Sequence, residues 1–301
     1  MDSLLTTRAN ENGICTKDTC PVIYSIYGYR PNLGSVIFFL LLFSLSGLLY
    51  VYQGVRTRTK FFTSAMVLGS AAEVIGYVAK ILLYQDPFSD TGFKMSLVML
   101  TMAPAFYAAG LYYTLKHICL TFGANHSRLR PALYTYIFVG CDVFSIVLQS
   151  VGGALASVSE NKALLDAGTD VMITGLATQV VTMATFGILA ADYGLTVYRH
   201  RHHLNPATAS FRHTRKFKFF LVALWVAYLG ILIRCCYRVA ELAGGWSHNP
   251  ILRNQYLFIG LDGTAVGLAA IALNICHPGW CLPKAEAAAV TETIEYSTAK
   301  A

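Results

Sequence analysis

Glu73, Tyr77 and Lys80 follow one another at i, i+4 and i+7 inside a run that is otherwise apolar. Asp142, Ser145 and Gln149 repeat the pattern, as do Arg234, Arg238 and Glu241. On an α-helix each of these spacings gathers its residues on one face. Gln179, Asp262 and Asn274 add polar groups to two further apolar runs. A charge inside hydrocarbon costs about 3 kcal/mol or more, so each such residue marks a function by default. Polar stripes on several apolar helices have to face one another. Two uses are open to them. They can clamp helices together as ion pairs, or they can line a cavity that holds the polar part of a ligand. Glu73, Asp142, Glu241 and Asp262 against Lys80, Arg234 and Arg238, with Gln149 and Gln179 in addition, exceed what clamping requires. The reading is a polar, substrate-binding cavity.

The elements that position these residues are membrane spans. The chain has 301 residues, 55% hydrophobic and 13% charged, with a mean hydropathy of +0.51. An average soluble domain carries roughly 25% charged residues, about twice as many. Seven windows are long enough to cross the hydrocarbon as helices: 33–53, 61–84, 95–119, 131–157, 169–198, 217–240 and 253–276. The ten-residue alternation of a membrane β-barrel is absent. The expected architecture is all-α, one bundle of seven transmembrane helices over 32–278, with a polar tail at 1–31 and a disordered tail at 279–301.

The connectors after spans 1, 3 and 5 hold Arg56, Arg58, Lys60, Arg128, Arg130, Arg199, Arg201, Arg212, Arg215, Lys216 and Lys218 and no acid. Those after spans 2, 4 and 6 hold only Lys94, Lys162 and Arg253, against Asp86, Asp90, Glu160, Asp166 and Asp170. Positive charge stays inside, which places the N-terminus outside and the C-terminus in the cytosol. The basic 199–218 connector then reads as a loop facing anionic lipid, with no nucleic-acid role. Cys15 and Cys20 in the outer tail either form a disulfide or stay free. Cys276 and Cys281, at the cytoplasmic end of the last span, are candidates for palmitoylation.

Depth refines the site. At 1.5 Å per residue, Glu73 and Asp142 lie roughly 17 Å from the cytoplasmic ends of their helices, and Arg234 roughly 25 Å. Both arginines are therefore expected near Glu241, leaving Glu73, Asp142 and Asp262 as an acid-rich midplane. Such a site suits a cationic head group, with Tyr77 available for cation–π contact. Pro104, in the middle of span 3, is expected to kink its helix and free a backbone carbonyl. The small residues Ala103, Ala105, Ala108, Ala109 and Gly110 around it, with Gly152 and Gly153, permit close packing or room for a ligand.

No G-x-x-x-x-G-K-[ST] loop is present, so ATP is not hydrolysed in the P-loop manner. Span 7 has no lysine for retinal and no Asn-Pro-x-x-Tyr, and no histidine cluster lies at membrane depth. No catalytic set, metal site or cofactor emerges, and the chain reads as a non-enzyme.

Tyr27-Gly28-Tyr29-Arg30-Pro31, Glu73-Val74-Ile75-Gly76-Tyr77 and Ala103-Pro104-Ala105-Phe106 open an ordered set of motifs. Asp142 with Gln149 and Gly152-Gly153, then Gly175 with Gln179, continue it. Arg234, Tyr237-Arg238 and Glu241, and finally His277-Pro278-Gly279, complete it. Together they resemble the fungal RTA1-like family of lipid-translocating exporters, over about residues 27–280. The departures fall at Lys80, Gln255 and Ala265, where that family usually has Arg, Glu and Pro. The resemblance implies seven helices and an amphipathic, lipid-like substrate such as a sphingoid base, a sterol-like toxin or a drug. It also implies a resistance function, with the plasma membrane as the expected location. A seven-helix receptor or stress sensor signalling through the basic connector is the alternative.

Overall fold

The structure, a computed structural model, describes residues 20–122, 130–158, 162–199, 214–245 and 249–281. Seven long apolar helices make up the membrane region: α1 (Leu33–Thr57), α2 (Lys60–Gln85), α3 (Asp90–Phe122), α4 (Pro131–Val158), α5 (Lys162–Arg199), α6 (Arg215–Ala243) and α7 (Gln255–Cys281). Most run beyond the apolar windows that announce them, because the polar residues at their ends still satisfy the backbone ladder. Asn32 starts α1 by accepting from the N–H groups of Gly34 and Ser35, two of the donors a helix start leaves unpaired.

Sequential helices pack side by side, and α7 closes against both α6 and α1. Helix α3 touches α2, α4, α5 and α6 and is the central strut. In its most apolar stretch 67% of residues are buried, against 28% in α1 and in α4. The small residues of α3 serve this position: Ala103 and Ala108 are fully buried. Of the two uses open to them, packing is the one observed. Leu41, Leu48, Phe144, Val147, Val181 and Ile188 remain exposed around the outside, the apolar belt that lipid would cover.

Helix α7 is not uniform. Residues Phe258–Thr264 form a wide π-helical turn between α-helical pieces at Gln255–Leu257 and Ala265–Ile275. Thr264 Oγ1 donates to the carbonyl of Ile259 at 2.8 Å inside that turn. A π-turn is rare and recurs at functional sites, and this one carries Asp262.

Cys20 is disulfide-bonded; Cys15, the partner expected for it, lies outside the described residues, as does most of the basic 199–218 connector. Of the two candidate palmitoylation cysteines, Cys276 is 3% exposed and belongs to the core. Cys281 is half-buried.

The expected orientation has a direct check. Lys162 and Arg215 are both exposed, at opposite ends of the bundle. In intact cells, Lys162→Cys should react with an impermeant thiol reagent and Arg215→Cys should not. Labelling of Arg215→Cys alone would invert the topology.

Candidate functional site

The core of the bundle holds an ion-paired assembly. Arg234 of α6 donates through Nη1 to Glu73 of α2, and its Nε lies 3.0 Å from Asp262 Oδ1 of α7. Arg238, one turn on, places its Nε 3.0 Å from the same oxygen and its Nη1 2.6 Å from Glu241 Oε2. Tyr237 donates to the other oxygen of Glu241 at 3.2 Å. Asp262 therefore sits between two guanidinium groups, which the widened turn of α7 allows.

Backbone chemistry fixes the fourth helix. Pro104 has no N–H, so the carbonyl of Leu100, four residues earlier, has no helical partner. Arg234 Nη2 donates to that carbonyl. One arginine thus joins α2, α3 and α7 to α6. Gly76 makes the approach possible, since a Cβ there would stand 2.6 Å from the Leu100 side chain. Likewise a Cβ on Gly263 would stand 2.7 Å from the Phe39 ring and 2.8 Å from the Tyr77 hydroxyl.

Lys80 completes the assembly through aromatic faces. Its Nζ lies 3.8 Å from the ring centroid of Tyr27 and 4.4 Å from that of Phe258, while Arg238 lies 5.7 Å from Phe258 on its own side. Tyr27 belongs to the segment that precedes α1, and it also packs edge-on against Phe93. This segment therefore caps the assembly at the end expected to face outward. Two arginines and one lysine balance Glu73, Glu241 and Asp262, the near-neutral condition under which burial is tolerable.

The expected placement of the arginines is corrected in one respect. Arg234 does not stay beside Glu241. Its long apolar stem carries the guanidinium to Glu73 and Asp262, where three acceptors converge. The midplane around those two acids is consequently neutralised. Glu73, Arg234 and Asp262 are each 0% exposed, so the cluster is packed on itself and lines no open cavity in this conformation. The void beside Tyr77 and Lys80, about 10 Å³, has room for about one water.

The other expected site residues stand apart from the assembly. Gln149 of α4 donates to Gln179 of α5 at 3.3 Å. Asp142 of α4 accepts a 3.0 Å hydrogen bond from Tyr112 of α3, whose hydroxyl also lies 3.1 Å from the Met183 sulfur of α5. Sequence reasoning did not single out Tyr112, Phe258 or the Leu100 carbonyl; Tyr237 entered only within the motif Tyr237-Arg238, and Pro104 was the signal for a freed carbonyl.

A helical bundle with an ion-paired core, an apolar outer belt and no soluble domain among its described residues defines a polytopic integral membrane protein. The chain belongs to the RTA1 like protein family, whose match covers residues 66–285. It is 30% identical over 285 residues to the sphingoid long-chain base transporter RSB1 of Saccharomyces cerevisiae, covering 85% of this chain and 74% of that one. The protein RTA1 of the same yeast is 26% identical over 280 residues, 85% of each chain. The probable lipid transporter atnI of Emericella nidulans is 22% identical over 274 residues, 89% of this chain and 70% of that one. No solved structure matches. The names of two of these relatives, RSB1 and atnI, attach lipid transport to the family.

Proposed function

We propose that this protein is a translocator of single-chain amphipathic lipids, exporting them across the plasma membrane and so giving resistance to toxic amphiphiles. It does so without ATP hydrolysis of its own and without covalent chemistry on its cargo. The observation that carries this reading is the convergence of Arg234 on Glu73, Asp262 and the Leu100 carbonyl. Four helices meet at one side chain near the middle of the bundle. Such a junction has to be remade for anything to pass, and alternative pairings exist: Asp262 already has Arg238 as a second partner. Exchange of partners between the two arginines of α6 lets α6 and α7 shift against each other without stranding Asp262. The names of the relatives supply the class of cargo.

Purified protein alone in proteoliposomes should move a labelled sphingoid base between leaflets faster than protein-free vesicles do. Folded, correctly inserted protein that leaves the rate at the protein-free value would overturn the reading in favour of a receptor.

A further inference from the structure

The charge balance of the core leaves one group over. Lys80, Arg234 and Arg238 match Glu73, Glu241 and Asp262, and Asp142 stands outside that account, 2% exposed. Its Oδ2 accepts from Tyr112. Its Oδ1 is buried with no hydrogen-bond partner, and among the described residues no basic side chain reaches it. A buried carboxylate without a counter-ion is costly, so a cation brought to this point would gain a partner that no side chain supplies.

One aromatic layer away lies a cavity of about 490 Å³ between α3, α5 and α6, within the range of roughly 300–1,000 Å³ typical of ligand sites. Gly187, Ala190, Ala191 and Gly194 of α5 line it; a Cβ on Gly194 would meet nothing within 4 Å, whereas Gly187 seats the Tyr228 side chain. Its walls are aliphatic and aromatic. Leu195 and Trp225 line it and are also exposed, so it opens sideways to the hydrocarbon. Phe186 forms both part of its wall and an edge-on contact with Tyr112, ring centroids 4.6 Å apart. The cavity occupies the half of the bundle nearest the basic connectors, the half expected to face the cytoplasmic leaflet.

We propose that this cavity and Asp142 together form the binding site for a single-chain lipid with a cationic head group. The hydrocarbon chain enters sideways past Leu195 and Trp225. The ammonium passes the Tyr112–Phe186 ring pair and becomes the missing counter-ion of Asp142. The choice of ligand rests on the lipid-transport reading. The location does not, and it separates head-group recognition from the Arg234 assembly.

Binding of a radiolabelled sphingoid base and of its neutral N-acetyl analogue to the full chain in nanodiscs tests the site. The wild type should prefer the base by about tenfold or more, about 1.4 kcal/mol. Asp142→Asn keeps the shape and the bond from Tyr112, and it should erase that preference while still binding the neutral analogue. Gly194→Leu should weaken both ligands by about tenfold at unchanged melting temperature. A Cβ at Gly194 meets nothing within 4 Å, and leucine is the better helix former. A wild type without preference, an Asp142→Asn that retains it, or a Gly194→Leu with unchanged binding would each overturn the site. Flux is scored separately. A wild type that binds as expected but moves no base overturns the transport reading and leaves the site standing. Normal flux with binding undisturbed in both variants does the reverse.

Discussion

Arg234→Ala should destabilise the protein by about 3–5 kcal/mol, seen as a collapse of folded, membrane-inserted protein in cells. Removing one partner of a buried pair leaves an uncompensated charge, and that is the costly case. Here the guanidinium donates to Glu73 and the Leu100 carbonyl and ion-pairs with Asp262. Asp262 would keep Arg238, but among the described residues Glu73 would lose its ion-pair partner and the Leu100 carbonyl its donor. Arg234→Lys keeps the charge without the planar fork. A single ammonium cannot serve Glu73, Asp262 and the carbonyl in the same geometry, so this variant should fall between alanine and wild type. Arg234→Met combined with Glu73→Gln removes both charges while keeping the volume, and should recover part of the loss, as replaced buried pairs often do. Thermal melting of the three variants in one detergent gives the ranking. Wild-type melting of Arg234→Ala would show that the convergence is not what holds the four helices.

The spans were legible because twenty apolar residues in a row have few alternatives, and the polar stripes because a period of 3.6 is unambiguous over two turns. Pro104 leaves the Leu100 carbonyl without a helical donor. What took it up was not legible, since nothing in the spacing of Arg234 and Arg238 says which of them reaches across to α3. Depth counted along straight helices put both arginines beside Glu241, and a side chain as long as arginine defeats that count. The turn at Phe258–Thr264 was hidden as well. Gly260 and Gly263 mark tolerance for close approach, yet they do not specify a wider backbone turn. Asp142 shows the same limit from another side. Counting charges made it a fourth acid in one group, and only its position shows that it is the uncompensated one.

Gly152 and Gly153 show what rotation about a helix axis decides and composition does not, and alanine at the two positions should behave oppositely. A Cβ on Gly152 would lie 2.6 Å from both the Gly168 carbonyl oxygen and the Met172 nitrogen of α5. These are backbone atoms and cannot turn aside. From the other helix, a Cβ on Gly168 would lie 2.6 Å from the Ala156 nitrogen and 2.8 Å from the Gly152 oxygen. The close approach of α4 and α5 is thus built on small residues from both, as in membrane helix pairs generally. Gly153 is different: its Cβ would find only the Met172 side chain at 3.7 Å, an ordinary contact. Gly152→Ala should therefore cost about 1–3 kcal/mol or more, the usual penalty of overpacking, whereas Gly153→Ala should be neutral or mildly stabilising through helix propensity. The first change should also reach the proposed lipid site. Pushing α4 off α5 stretches the 3.3 Å bond between Gln149 and Gln179 and draws Asp142 away from Met183, which shares the Tyr112 hydroxyl with it. Base-over-analogue preference should fall in Gly152→Ala and hold in Gly153→Ala, measured beside their melting temperatures. Equal melting of the two variants would mean that the helices do not meet through Gly152.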